Sequence, residues 1–275
     1  MAHFVKSHGL GNDYLVVDPA RLPFRLTAEA IRLVCDRNRG VGSDGILAVD
    51  KPGDGSDFGV RIFNPDGSEA EKSGNGVRIF AKFLREHHHT DRDHFTIRTL
   101  GGVVMVDLAW DGVRVGDVTA AMGRATFGAP DTIVVDGDRI AVSVVSLGNP
   151  HCVVFVGDLG AVDVHGLGPK IERHHAFPGR TNVQFAQVRA RNALELRIWE
   201  RGAGYTLASG TSSCAAVAAA HRLGLTGPDV TVTMPGGALG VSIDEAGEIR
   251  LRGPAEEVMS GDFSADLLRH LAERA

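Results

Sequence analysis

The chain has 275 residues, 43% of them apolar and 23% charged, with a formal net charge of -5. That length supports two domains, each with its own core, and the composition excludes a disordered or collagen-like chain. The acidic balance gives no pull toward nucleic acid or an anionic membrane, so the expected partner is a small, locally recognised molecule.

Taken along the chain, β-branched or alternating runs bounded by glycine turns predict strands, and 3.6-residue apolar spacing predicts helices. A strand is expected at 14–17, a helix at 28–37, a strand at 60–63, a helix at 76–88, and strands at 103–107 and 113–118. The stretch 120–130, with Gly123, Gly128 and Pro130 and no periodicity, reads as a crossing between two halves. Beyond it come strands at 133–135, 140–145, 152–156 and 194–199, a helix at 214–223, a strand at 230–234 and a closing helix at 265–274. The predicted fold is α+β: two similar domains, each a mainly antiparallel sheet wrapped around a central helix, with a cleft between them as the working site. The domain boundary is expected near 116, giving an N-terminal half 1–116 and a C-terminal half 117–261, with 262–275 packing back on the first half.

Internal repetition supports that division. Arg61-Ile62-Phe63-Asn64 is followed by Ser73-Gly74-Asn75, and Arg197-Ile198-Trp199-Glu200 is followed, at the same distance, by Ser209-Gly210-Thr211. Leu10-Gly11-Asn12 and Leu147-Gly148-Asn149 echo each other at nearly the same offset. A repeat of half the chain length means two copies of one supersecondary unit, since a solenoid would have a far shorter period.

No apolar run approaches the about 18 residues of a membrane span, and Met-Ala-His-Phe-Val-Lys at the start lacks the apolar core of a secretory signal, so a cytoplasmic protein is expected. Cys35, Cys152 and Cys214 are widely spaced and odd in number. They form neither a disulfide framework nor a Cys-x-x-Cys metal site, and are expected to be reduced and mostly buried. The run His87-His88-His89 with His94 reads as a solvated helix end, not a metal site. Gly9-Leu10-Gly11 and Gly40-Val41-Gly42 fit neither phosphate-loop pattern, so no cofactor and no metal are expected.

Each Ser-Gly corner precedes a predicted helix. Its backbone N–H groups should point out of a helix N-terminus, where unpaired donors and the dipole favour a carboxylate. Serine is also a preferred N-cap, so a purely structural role at Ser73 and Ser209 stays open at this stage.

Long motifs carry a more specific signal. They include His8 to Asp13 (HGLGND), Asp36 to Gly45 (DRNRGVGSDG), Phe63 to Gly76 (FNPDGSEAEKSGNG), Gly148 to Cys152 (GNPHC) and Arg180-Thr181-Asn182. They continue with Glu200 to Thr206 (ERGAGYT), Ala208 to Thr211 (ASGT) and Gly253 to Glu256 (GPAE). Together they resemble the diaminopimelate epimerases, cofactor-independent amino-acid epimerases built from two similar halves. The resemblance implies LL-2,6-diaminopimelate and its meso form as ligands, with no pyridoxal phosphate, and is compatible with a homodimer. It also implies that Gly74, Asn75, Gly210 and Thr211 hold the carboxylate at the reacting centre and that Asn12 helps hold its ammonium group. Asn64, Asn149, Asn182 and Arg201 would then recognise the distal amino-acid end, and His151 and Glu200 would assist the two acid/base groups.

One departure stands out. The residues before Gly74-Asn75 and before Gly210-Thr211 are the two catalytic cysteines by this resemblance, and here both are serine. A thiol ionises at a pKa of about 8.5, lower still at a helix N-terminus, whereas a serine hydroxyl yields essentially no alkoxide without an activating base. Shape and binding should survive the change while most proton transfer is lost. Three origins fit it: a variant engineered to trap substrate, favoured because Cys152, Cys214 and flanking residues remain; a natural relative with different chemistry; and a natural binder that has lost catalysis. Rival activities are a racemase for another amino acid, such as histidine, on the same fold, and a serine hydrolase. The hydrolase is weak because Glu71 and Leu207 stand where Gly-x-Ser-x-Gly needs glycine.

Overall fold

The computed structural model describes residues 3–273. Among them are five α-helices: α1 (Ala28–Cys35), α2 (Gly74–Glu86), α3 (Val164–Glu172), α4 (Gly210–Arg222) and α5 (Ala265–Ala272). Each starts at a Thr, Ser or Asp N-cap: Thr27, Ser73, Asp163, Ser209 and Ser264. In all but Ser209 the cap side chain accepts a hydrogen bond from the first turn, satisfying a donor that the helix itself leaves open. Caps therefore fix the starts of α2 and α4 ahead of 76 and 214, where apolar spacing alone places them. At the other end of α1, Asp36 is already outside the helix as its C-cap. The end of the predicted last helix at Arg274 lies outside the described residues.

Sequence periodicity misses α3 altogether. Its Gly166, Gly168 and Pro169 hide the helical pattern. Gly168 is needed for close packing, because a Cβ there would lie 2.7 Å from Trp199 Cγ. The predicted strand 140–145 is two strands, Asp138–Ala141 and Ser143–Ser146. The strand predicted at 113–118 extends over Arg114–Arg124.

The chain divides into two compact units, one running to Ala120 and resuming at Pro254, the other Ala121–Gly253. The first unit's sheet runs Glu256–Asp262, His3–Gly9, Asn12–Val17, Ile46–Asp50, Phe58–Phe63, His94–Thr99, Gly102–Asp111 and Arg114–Arg124. The second unit's sheet runs Thr126–Gly128, Ser143–Ser146, Pro150–Phe155, Asn182–Ala190, Ala193–Glu200, Asp229–Met234, Gly237–Ile243 and Glu248–Pro254. In both, the third and fourth strands and the fifth and sixth strands are parallel, and every other neighbour is antiparallel. Helices α1 and α3 bridge the same parallel step, as do α2 and α4 at the later one. The duplication legible in the motifs is thus a duplication of topology.

The first strand of each sheet comes from an unexpected part of the chain. Thr126–Gly128 follows the first unit's last strand yet pairs in the second unit, while Glu256–Asp262 follows the second unit's last strand and pairs with His3–Gly9. This reciprocal exchange moves Glu256–Asp262 into the first unit, together with α5. Leu271 and Phe263 join Phe4, Leu15, Phe24 and Ile31 in one apolar cluster, with Phe263 packed at 5.1 Å from Phe4 and 5.7 Å from Phe24. Fully burying such side chains stabilises by about 2 kcal/mol each.

Candidate active site

In the first unit, a tight hairpin brings Asn12 toward the start of α2. Its two turn residues, Leu10 (φ 55) and Gly11 (φ 86), are both left-handed, which suits a two-residue connection between twisted strands and makes Leu10 a strained position. Asn12 Oδ1 accepts from Asn75 Nδ2 at 3.0 Å, and Asn12 Nδ2 donates to Asp44 at 3.0 Å. Asn75 is oriented in turn by the fully buried Arg78, whose guanidinium donates to Asn75 Oδ1 at 2.9 Å and to the Gly74 carbonyl at 3.0 Å. Ser73 Oγ accepts from the Gly76 N–H at 3.0 Å and lies 3.2 Å from the Tyr14 hydroxyl. Beside this group, burial works to raise the Asp13 pKa, but hydrogen bonds and charges from Arg37 and Lys6 prevail and hold it below the ordinary carboxylate range. Asn64 is held in its own turn, its Nδ2 donating to Ser68 Oγ at 3.0 Å.

The second unit repeats the core of this arrangement. Asn149, the counterpart of Asn12, directs its Nδ2 to Thr211 Oγ1 at 3.4 Å, and Thr211 is the counterpart of Asn75. Ser209 caps α4 in extended backbone, buried, with no side-chain cap bond. His151 occupies the position equivalent to Tyr14, but its fully buried ring faces elsewhere: Nε2 is 3.0 Å from Asn149 Oδ1 and Nδ1 is 3.0 Å from Gln184 Nε2. The amide can only donate to Nδ1, so the proton sits on Nε2 and is donated to Asn149. Gln184 spends its other hydrogen on Ser212 Oγ at 3.0 Å. The chain Gln184 to His151 to Asn149 to Thr211 thus runs to the first turn of α4.

Burial, then the charge of Arg201, push the His151 pKa down to about 3. A folded value below the ordinary 6.5 means the unfolded chain binds the extra proton first. The contribution of this group to stability is therefore complete above pH 6.5 and declines as pH falls from there toward about 3. We expect the His151 ring signals in an NMR titration to stay those of the neutral Nε2–H tautomer from about pH 8 to about pH 5. A midpoint near the ordinary histidine value would contradict this.

Asn182 and Arg201 meet through the backbone: Arg201 N–H donates to Asn182 Oδ1 at 3.0 Å, and Asn182 Nδ2 donates to the Pro150 carbonyl at 2.9 Å. The exposed Arg201 side chain reaches the Gly179 carbonyl at 3.3 Å. Glu200 ends its strand, and its carbonyl accepts from Ala203 N–H at 3.2 Å. His151 and Cys152 alternate along one strand as expected, Cys152 entering the apolar core, where burial raises its thiol pKa to about 12. All three cysteines are buried. His87 pairs with Glu257 at 2.8 Å and His94 with Asp107.

A family model described as diaminopimelate epimerase matches residues 4–128 and 143–261. The chain belongs to the diaminopimelate epimerase family. Curated relatives include diaminopimelate epimerase 2 of Nostoc sp., 42% identical over 96% of this chain and 96% of its own, and the diaminopimelate epimerase of Pelotomaculum thermopropionicum, 42% identical over 95% and 98%. Among solved structures, a probable proline racemase from Agrobacterium radiobacter superposes with a TM-score of 0.76 at 17% identity, covering 100% of both chains. A predicted epimerase from Pseudomonas aeruginosa gives 0.71 at 20% identity over 96% of this chain and 99% of that one. At those identities the structural likeness establishes the shared fold.

Within this diaminopimelate epimerase family chain, four polar residues escape sequence reasoning: Tyr14, Arg78, Glu172 and Gln184. Arg78 alone leaves a trace, as a charge within the first turns of a helix whose same stretch is otherwise buried. The others sit on strands or on the undetected α3, where only pairing reveals their neighbours. Among the described residues no His, Cys, Asp and Glu side chains gather as a metal site, and no helix is long and apolar enough to cross a membrane.

Proposed function

We propose that this chain is a diaminopimelate epimerase scaffold that binds LL- and meso-diaminopimelate and, with serine at both acid/base positions, turns them over poorly. The observation that carries the reading is the repeated corner. Ser73 and Ser209 each cap a helix whose first N–H groups, at Gly74-Asn75 and Gly210-Thr211, are suited to a carboxylate. In the two-base reaction, the group at one serine position removes the α-proton from one face while its counterpart returns a proton to the other. With hydroxyls at both positions the carboxylate and ammonium contacts remain, and the base does not.

Asn12, with one lone pair already turned to Asn75, serves the reacting centre, and Asn64, Asn149, Asn182 and Arg201 serve the distal amino-acid end, where the Arg201 guanidinium suits a bidentate carboxylate contact. Glu200 assists the acid/base group at 209. His151, fixed as a neutral donor, serves by setting the orientation of Asn149. Calorimetry tests the ligand: LL- and meso-diaminopimelate are expected to bind the unmodified protein, and histidine is not. Tighter binding of histidine would instead favour a racemase of that amino acid.

A further inference from the structure

Helix α3 contributes one acidic side chain that the proposed chemistry leaves unused. Glu172 is buried, 2% exposed, at the last position of α3. Its carboxylate accepts from Trp199 Nε1 at 2.9 Å through Oε2 and from the Gly202 N–H at 3.2 Å through Oε1. The Arg180 guanidinium lies 3.6 Å from Oε1, and the Glu172 carbonyl accepts from Thr181 N–H at 3.2 Å. One residue therefore grips both segments that carry the distal-end groups: 180–182, with Asn182, and 199–202, with Glu200 and Arg201.

The turn follows a strand end whose Trp199 is paired on both sides; its Arg201 N–H donates to Asn182 Oδ1 and its Ala203 N–H to the Glu200 carbonyl, and Glu172 adds the hold on the Gly202 N–H. The turn is short, Arg201 and Gly202 are exposed, and Gly202 is left-handed at φ 80. Such a segment is mobile unless its N–H groups are anchored, and a carboxylate receiving two N–H donors is a strong anchor. Trp199 meets α3 at a second point, one turn before Glu172, since the helix passes so close at Gly168 that a Cβ would overlap the indole.

We propose that Glu172 is a positioning residue that sets the spacing between Asn182 and Arg201 and thereby the selectivity for a ligand carrying a second amino-acid end. This rests on the reading above that Asn182 and Arg201 meet that end. Glu172 acts through the turn and does not itself touch ligand.

The test compares meso-diaminopimelate with 2-aminoheptanoate, which keeps the reacting centre and lacks the distal groups. In Glu172→Gln an NH₂ replaces one acceptor oxygen and confronts either the indole N–H or the Gly202 N–H. Affinity for meso-diaminopimelate is expected to fall about tenfold while that for 2-aminoheptanoate is unchanged. Trp199→Phe, which removes one donor and leaves the carboxylate, should give a smaller loss of the same selectivity. Amide hydrogen exchange at Gly202, read by NMR without ligand, should speed up in Glu172→Gln. Equal losses for both ligands, or an unchanged Gly202 exchange rate, would overturn the positioning role. If the unmodified protein itself fails to prefer meso-diaminopimelate, the distal-end reading fails instead, and the Gly202 measurement still decides whether Glu172 anchors the turn.

Discussion

Replacing both Ser73 and Ser209 by cysteine raises α-hydrogen exchange of diaminopimelate in heavy water by roughly a thousandfold, within the range that positioned acid–base groups supply. The hydroxyls are the wrong acids for the task. Removing an α-proton needs a base present at neutral pH, and a thiol at a helix N-terminus meets that need where an alkoxide does not. Both helix starts are already formed, with Asn12 bonded to the Asn75 side chain and Asn149 to that of Thr211. The single replacements separate the faces: each thiol alone should exchange only the epimer whose α-hydrogen it faces, and neither alone should interconvert the two. A double-cysteine protein as inert as the serine protein, while still binding ligand, would make this chain a binder.

The two introduced thiols should not be equivalent. A thiolate at position 73 inherits the Gly76 N–H and the Tyr14 hydroxyl as neighbours, at 3.0 and 3.2 Å from the present oxygen, and hydrogen bonds to the charged form lower a pKa. The position-209 oxygen has no cap bond and is buried, so desolvation holds its thiol higher. Tyr14→Phe in the double-cysteine protein should raise the lower of the two ionisations and leave the higher in place.

Why were the Ser-Gly corners readable in sequence when their surroundings were not? Capping is local chemistry: a serine, a glycine and a following helix lie within a few residues, and the repeat displays the pattern twice. Strand order is non-local. Nothing near residue 256 announces that Glu256–Asp262 lies against His3–Gly9, so the exchange of first strands went unseen. The same limit hides Gln184, which meets His151 only because Pro150–Phe155 and Asn182–Ala190 run parallel in the register that pairs His151 with Asn182. Helix α3 was concealed for a different reason. Gly168 serves packing against Trp199 and Gly166 leaves room for the Asp163 cap, while both oppose helical propensity, so the local signal and the tertiary requirement disagree. Resemblance singles out His151, but its charge state follows from complete burial and the charge of Arg201, which no motif displays.

Replacing Arg78 should destabilise the first unit, by about 2 kcal/mol for Arg78→Met and more for Arg78→Ala. Two effects compete. Burying a guanidinium completely costs solvation, and removing it recovers that cost. Against this, its loss strands the Asn75 side-chain oxygen in the buried first turn of α2, at about 1–3 kcal/mol, and takes a second donor from the Gly74 carbonyl, which keeps its helical partner. The guanidinium bonds, at 2.9 and 3.0 Å, are charge-assisted, so the second effect should prevail. Methionine keeps most of the volume and isolates the lost donors, whereas alanine adds a cavity. The damage should extend to binding: without Arg78 the Asn75 amide is free to flip, Asn12 loses the contact that orients it, and affinity for meso-diaminopimelate should fall along with stability. Urea denaturation of both variants, with and without ligand, measures each part. An Arg78→Met protein as stable as the parent would mean that guanidinium desolvation cancels its hydrogen bonds, and unchanged affinity would mean that Asn75 takes its orientation from elsewhere.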